Sequence, residues 1–147
     1  MYKRRQISRI LSAVVIALGV LFFILLVDGL VFCGMKYVFH LDFSQDYRQV
    51  EAVDQIRFWD SWSGKVYERY AFGLRPIGKQ ESIPAAEEPT LSPDGRYLLF
   101  CEIEYGVNGG YSTDEEYCYY RVTDLRSGTR YTIYSGYREW FQVYWEE

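Results

Sequence analysis

The chain has 147 residues, 16 Lys and Arg against 20 Asp and Glu, one histidine and three cysteines. That length is one domain's worth, and a single histidine excludes a catalytic triad or a histidine-rich metal site. Beyond residue 41, 11 Lys and Arg face 19 Asp and Glu, a net charge of −8 that repels phosphate backbones and argues against a nucleic-acid partner.

Residues 1–9 form a basic tail. Residues 10–32 are the expected transmembrane helix, built on the charge-free run Ile10 to Val27. Eighteen residues at helical rise cover about 27 Å, close to the hydrocarbon thickness of a bilayer. The run is longer than the apolar core of a usual signal peptide, and no small-x-small cleavage site follows it cleanly. Leu30 to Gly34 superficially suggests a lipoprotein cysteine at Cys33, but Phe32 is too bulky for the position before it. Lys3, Arg4, Arg5 and Arg9 precede the span, and only Lys36 soon follows it. Positive charge stays inside, so the expected topology is single-pass in the cell membrane, N-terminus cytoplasmic, C-terminal domain outside.

Residues 33–54 form a juxtamembrane segment. Phe43, Tyr47, Val50 and Val53 recur at spacings of four and three, with Ser44 as an N-cap, which predicts a short helix. No long polar linker intervenes, so the domain is expected close to the bilayer. His40 reads as an interfacial side chain without a catalytic role.

Residues 55–147 read as an all-β domain of about seven strands, with turn dipeptides Ser63-Gly64, Asp94-Gly95, Gly109-Gly110 and Ser127-Gly128. Arg75 to Pro89 holds three prolines and reads as a loop. Ile56 to Tyr70 and Tyr120 to Tyr134 match at an offset of 64, with Arg57/Arg121, Asp60/Asp124, Ser63/Ser127, Gly64/Gly128, Tyr67/Tyr131 and Tyr70/Tyr134 identical. Each copy predicts strand, turn, strand. With a turn centred on Gly109-Gly110, Cys101 falls opposite Cys118, Leu99 opposite Tyr120, and Tyr97 opposite Val122, apolar sets on one face. Cys101 and Cys118 then have two readings, a cross-strand disulfide or two buried thiols. Cys33 is left over as a lipid-facing or buried thiol. Asp114, Glu115 and Glu116, with Glu102 and Glu104, form an acidic cluster that reads as a solvated hairpin tip rather than a calcium loop.

Ser92-Pro93-Asp94-Gly95-Arg96-Tyr97, followed by Leu98-Leu99-Phe100, resembles the repeat of TolB-type β-propellers, relatives of the WD-type blade. The resemblance implies one four-stranded blade over Pro89 to Tyr137. Gln55 to Gly73 would be the last strands of a preceding blade, and Trp140 to Trp145 the first of a following one. Closed propellers need about four to eight blades, so this chain cannot close a ring alone. A small self-contained sheet or sandwich is the expected outcome; a multichain assembly and a relic of a longer propeller protein are the alternatives.

Function follows only loosely. The expectation is a non-enzymatic, membrane-anchored interaction or accessory module with a protein partner or homo-oligomer, and with no cofactor or metal. The alternative is a small-ligand or glycan-binding domain using Tyr137, Trp140, Tyr144 and Trp145 at the surface. The alternation of Trp140, Gln142 and Tyr144 with Phe141, Val143 and Trp145 equally describes a half-buried strand.

Overall fold

The computed structural model describes residues 2–44, 46–83, 88–105 and 116–147. It divides into two compact units, Met1–Met35 and Lys36–Glu147. The first holds α1, Tyr2–Gly34, which is long and apolar enough to cross a membrane. Its described side chains are exposed almost throughout, as expected of a helix that has no protein core to enter.

The second unit is mainly β. Its strands are β1 (Ile56–Asp60), β2 (Lys65–Tyr70), β3 (Gly73–Lys79), β4 (Thr90–Leu91), β5 (Tyr97–Tyr105), β6 (Glu116–Asp124), β7 (Arg130–Tyr137) and β8 (Gln142–Trp145). They form two antiparallel sheets of four, ordered β3-β2-β1-β8 and β4-β5-β6-β7. Both sheets contribute to one core. Ile56, Phe58, Tyr67, Val143 and Trp145 come from the first, and Tyr97, Leu99, Cys118, Tyr120, Val122, Ile133 and Tyr134 from the second. Phe141 sits at its centre, edge-on to Phe58, Tyr67 and Tyr134 at ring separations of 6.4, 5.5 and 5.7 Å. Such edge-to-face packing is favourable beyond the area it buries.

The two repeated hairpins share one turn. Gly64 N–H donates to the Asp60 carbonyl at 2.8 Å, and Gly128 N–H to that of Asp124 at 2.7 Å. Both glycines have positive φ (65° and 74°), the conformation that glycine adopts at no steric cost. In each turn the Asp carboxylate accepts the backbone N–H two residues on, from Trp62 at 3.0 Å and Arg126 at 2.8 Å. Both carboxylates are buried and each meets a cation, Lys36 for Asp60 and Arg96 for Asp124.

Arg96 belongs to the Ser92-Pro93-Asp94-Gly95 turn. There Ser92 Oγ accepts Tyr97 N–H at 2.9 Å, Gly95 N–H donates to the Ser92 carbonyl, and Arg96 N–H donates to Asp94. The Ser92 hydroxyl, which donates to Asp94, and then that backbone bond hold the Asp94 carboxyl below its ordinary pKa. The Arg96 guanidinium then reaches Asp124 at 3.0 Å and Glu51 at 2.9 Å, tying this turn to the next one.

Four expectations are corrected. First, Arg75 to Lys79 are strand, not loop. Pro76 is tolerated because β3 is an edge strand, and a bulge between Val66 and Tyr67 accommodates the shift. Second, the β5–β6 register is displaced by two residues: Cys101 faces Tyr120, Leu99 faces Val122 and Tyr97 faces Asp124. A slip of two keeps every side chain on its predicted face, so the buried set of Tyr97, Leu99, Cys118, Tyr120 and Val122 is unaffected. Gly109, Gly110, Asp114 and Glu115 lie outside the described residues. Third, β8 does not start a new unit; it returns to pair with β1, Phe58 opposite Val143. Fourth, the juxtamembrane segment is no continuous helix. It forms a π-helical turn (Met35–Phe39) and two short 3-10 turns (Asp46–Gln49 and Val53–Gln55). Ser44 Oγ does accept Tyr47 N–H, at 3.3 Å, as a cap would. Tyr47 and Val50 enter the core, whereas Phe43 stays exposed.

Candidate functional site

Residues 36–55 are built into the β unit and shape its concave features. Leu41 bridges to Tyr134, Asp42 N–H donates to the Ile133 carbonyl, and Ser135 N–H donates to that of His40. These bonds cover the outer edge of β7, which would otherwise present unpaired backbone groups. Further along, Tyr47 is buried and Arg48 exposed, both on the first 3-10 turn.

A cavity of about 470 Å³ opens where this segment meets the first sheet. Its walls come from Phe43, Tyr47, Arg48, Val53 and Asp54, from Ile56 and Arg57 on β1, from Glu68, Arg69 and Tyr70 on β2, and from Ala71 and Arg75. Four arginines thus stand against two carboxylates, a local inversion of charge in an acidic domain.

Arg69 is the centre of the wall. Alternation along β2 places it on the same side as core Tyr67, but near the strand's end, where the sheet opens. Its guanidinium carbon lies 3.9 Å from the Tyr47 ring centre and 5.0 Å from that of Phe43, a stacked cation. One terminal nitrogen donates to the Asp42 carbonyl. The other, Nη1, is buried without a partner among the described residues, as are Arg57 Nε and the Tyr47 hydroxyl. Burial raises the Tyr47 hydroxyl pKa, and the neighbouring Arg69 charge partly opposes this. Arg57 donates to the Asp54 carbonyl at 2.6 Å and pairs with Glu146; Arg75 pairs with Glu68. Arg48 and Arg69 have no carboxylate partner among the described residues. The cavity therefore offers net positive charge, stacked aromatic faces and spare donors, the chemistry that receives an oxyanion.

The four C-terminal aromatics do not form one surface. Trp145 is buried and donates its indole N–H to the Thr90 carbonyl at 3.1 Å. Tyr144, half-buried, donates to Gln80 at 3.0 Å. Tyr137 and Trp140 are together, ring centres 4.9 Å apart, with Trp140 5.5 Å from the His40 ring. His40 Nδ1 and the Tyr117 hydroxyl are hydrogen-bonded at 2.9 Å, while Nε2 is buried without a partner among the described residues. Burial lowers the His40 pKa, which favours the neutral ring. Ser92, Pro93, Asp94, Gly95 and Arg96 make a structural turn linked to Asp124, as above.

Cys101 and Cys118 sit diagonally on β5 and β6, because Cys118 faces Ile103. Both thiols are unbonded, as is that of Cys33. The neighbouring Cys118 thiol, with burial, holds the Cys101 pKa up. Among the described residues no group of three or more Cys, His, Asp or Glu is placed to hold a metal ion. The cavity was not foreseen in the sequence because its arginines are dispersed over 28 positions, from Arg48 to Arg75. The one local signal was Arg69, a charge two residues beyond an apolar strand position. No protein-family model, no curated protein and no solved structure matches this chain.

Proposed function

We propose that this chain is a single-pass membrane-anchored interaction or accessory module without catalytic activity, its N-terminus cytoplasmic and its β unit outside. The observation that carries the reading is how few residues of chain separate α1 from the β unit. Helix α1 ends at Gly34, and Lys36 is already a buried residue of the β unit, paired with Asp60 at 3.2 Å. Whatever the β unit binds is thereby held at the membrane that α1 enters. The basic residues Lys3, Arg4, Arg5 and Arg9 at the N-terminal end of α1 support the orientation.

The blade resemblance belongs to the same proposal. The antiparallel meander β4-β5-β6-β7, entered through the Ser92 to Arg96 turn, supports reading it as one blade-like unit used outside a closed ring. The test is affinity purification of the tagged full chain from detergent-solubilised membranes. A stoichiometric protein partner or a homo-oligomer is expected. A monomer recovered alone across several mild detergents would refute the interaction role.

A second reading, a small-ligand-binding domain, is favoured at a different place from the C-terminal aromatics. With Trp145 buried, the arginine-lined cavity is the better receptor.

A further inference from the structure

We propose that the cavity between the juxtamembrane segment and β2 binds the phosphate of an anionic membrane lipid headgroup. The inference rests on the anchored reading for its source of ligand, and is independent of any protein partner.

Three observations converge. The first is charge. Arg48, Arg57, Arg69 and Arg75 line a cavity that contributes only Asp54 and Glu68 in return. Arg69 and Arg48 lack carboxylate partners among the described residues, and Arg69 keeps a buried nitrogen with nothing to donate to. A guanidinium donates charge-assisted hydrogen bonds to phosphate oxygens, and the stacked Tyr47 and Phe43 rings together with the Asp42 carbonyl fix the Arg69 plane and leave Nη1 to donate. The second is size. At about 470 Å³ the cavity falls within the roughly 300–1,000 Å³ typical of small-molecule sites.

The third is the company the cavity keeps. The turn from β2 to β3 runs through Tyr70, Ala71 and Phe72 to Gly73. A Cβ on Gly73 would come within 3.0 Å of the Tyr37 carbonyl oxygen and 3.2 Å of Val38, so this turn lies against the first residues of the β unit. Val38 is only four residues beyond the end of α1, about 14 Å of fully extended chain. Phe72 is 84% exposed and Phe39 73%, with Tyr70 and Phe43 also at the surface. Exposed aromatic rings beside arginines are what a protein surface presents to the headgroup layer. A soluble anion would explain the arginines but not these rings.

The test uses the full chain in mixed micelles containing equal amounts of phosphatidylglycerol and phosphatidylcholine, with bound lipid read by native mass spectrometry. Phosphatidylglycerol should be retained about tenfold over phosphatidylcholine. Arg69→Gln combined with Arg48→Gln should abolish that preference. Arg48→Gln alone, at an exposed position that no core packing depends on, should reduce it severalfold with the circular dichroism spectrum unchanged. Equal retention of the two lipids, or a preference unchanged in folded Arg48→Gln, would overturn the proposal. Glycerol phosphate displacing the lipid at equal concentration would also overturn it, because the ligand would then be a soluble phosphate. Failure of the anchoring reading would appear separately, as release of the chain from membranes, and would leave the micelle measurement interpretable.

Discussion

The pair between Lys36 and Asp60 yields the sharpest energetic prediction. The Lys36 side chain is 10% exposed and that of Asp60 6%, at a separation of 3.2 Å. Asp60 also accepts Trp62 N–H and the Ser63 hydroxyl, so it remains partly satisfied if the lysine is removed. Lys36 has less in reserve: besides Asp60 its ammonium has the faces of Phe141 and Tyr37, at 5.0 and 5.5 Å. Asp60→Asn keeps the turn contacts but strands the buried ammonium, which should cost ~3 kcal/mol, the lower end of what breaking a buried pair costs. Lys36→Met should cost less, ~2 kcal/mol, because two donors still serve the carboxylate. In a domain of this size ~3 kcal/mol lowers Tm by roughly 10–15 °C. Thermal unfolding of the full chain in detergent, followed by near-ultraviolet circular dichroism, measures both. The double variant Lys36→Met/Asp60→Asn should cost ~3 kcal/mol rather than the ~5 kcal/mol sum of the single changes, a coupling of ~2 kcal/mol. If each single change costs less than ~0.5 kcal/mol and the two simply add, the pair is not buried as described.

Other predictions follow from the same geometry. Gly73 has φ of +148° and its Cβ position is occupied by Tyr37 and Val38, so Gly73→Ala should destabilise the β unit by roughly 1–3 kcal/mol in the same assay, and a neutral result would contradict the close approach. His40 is held below its ordinary pKa of 6.5 by burial, so the unfolded chain binds its proton more readily. Its contribution is therefore intact above pH 6.5 and is lost as pH falls from there towards the folded value, and Tm measured from pH 7.5 to 5 should show that loss in the wild type and much less of it in His40→Phe. Arg96→Met leaves Asp124 buried without its cation, and should lower Tm more than Arg130→Met, whose guanidinium is 60% exposed and makes only a 3.4 Å contact with Glu102. Alkylation in denaturant without reductant should modify all three cysteines, since Cys101 and Cys118 are diagonal and unbonded; a pair resistant to alkylation until reduced would show that they cross-link.

Much of the architecture could be read from local pattern. The apolar run from Ile10, the β character after Gln55 and the two D-x-x-S-G hairpins rest on signals within a few residues of each other, and their glycines and aspartates do in the structure what turn chemistry asks of them. The alternation in Trp140 to Trp145 likewise identified β8, with Phe141, Val143 and Trp145 buried. What escaped is what local pattern does not encode. A period of two cannot distinguish a register from one displaced by two, so Cys101 and Cys118 read as opposite when they are diagonal. Pro76 reads as a breaker unless its strand is known to be an edge, which is a fact about neighbours. Lys36 reads as a flanking charge until Asp60, 24 residues on, comes to meet it. The cavity is the extreme case, because its arginines converge only after β1, β2 and the 3-10 turn have packed.

The account's central claim is that an apolar helix fixes this β unit to a membrane with no intervening linker. Alkaline carbonate extraction of membranes from cells expressing the full chain tests it most directly. The chain should remain in the membrane pellet and move to the supernatant only with detergent. Release by carbonate alone would contradict the anchor, and with it the reading of the β unit as a module held at the lipid surface.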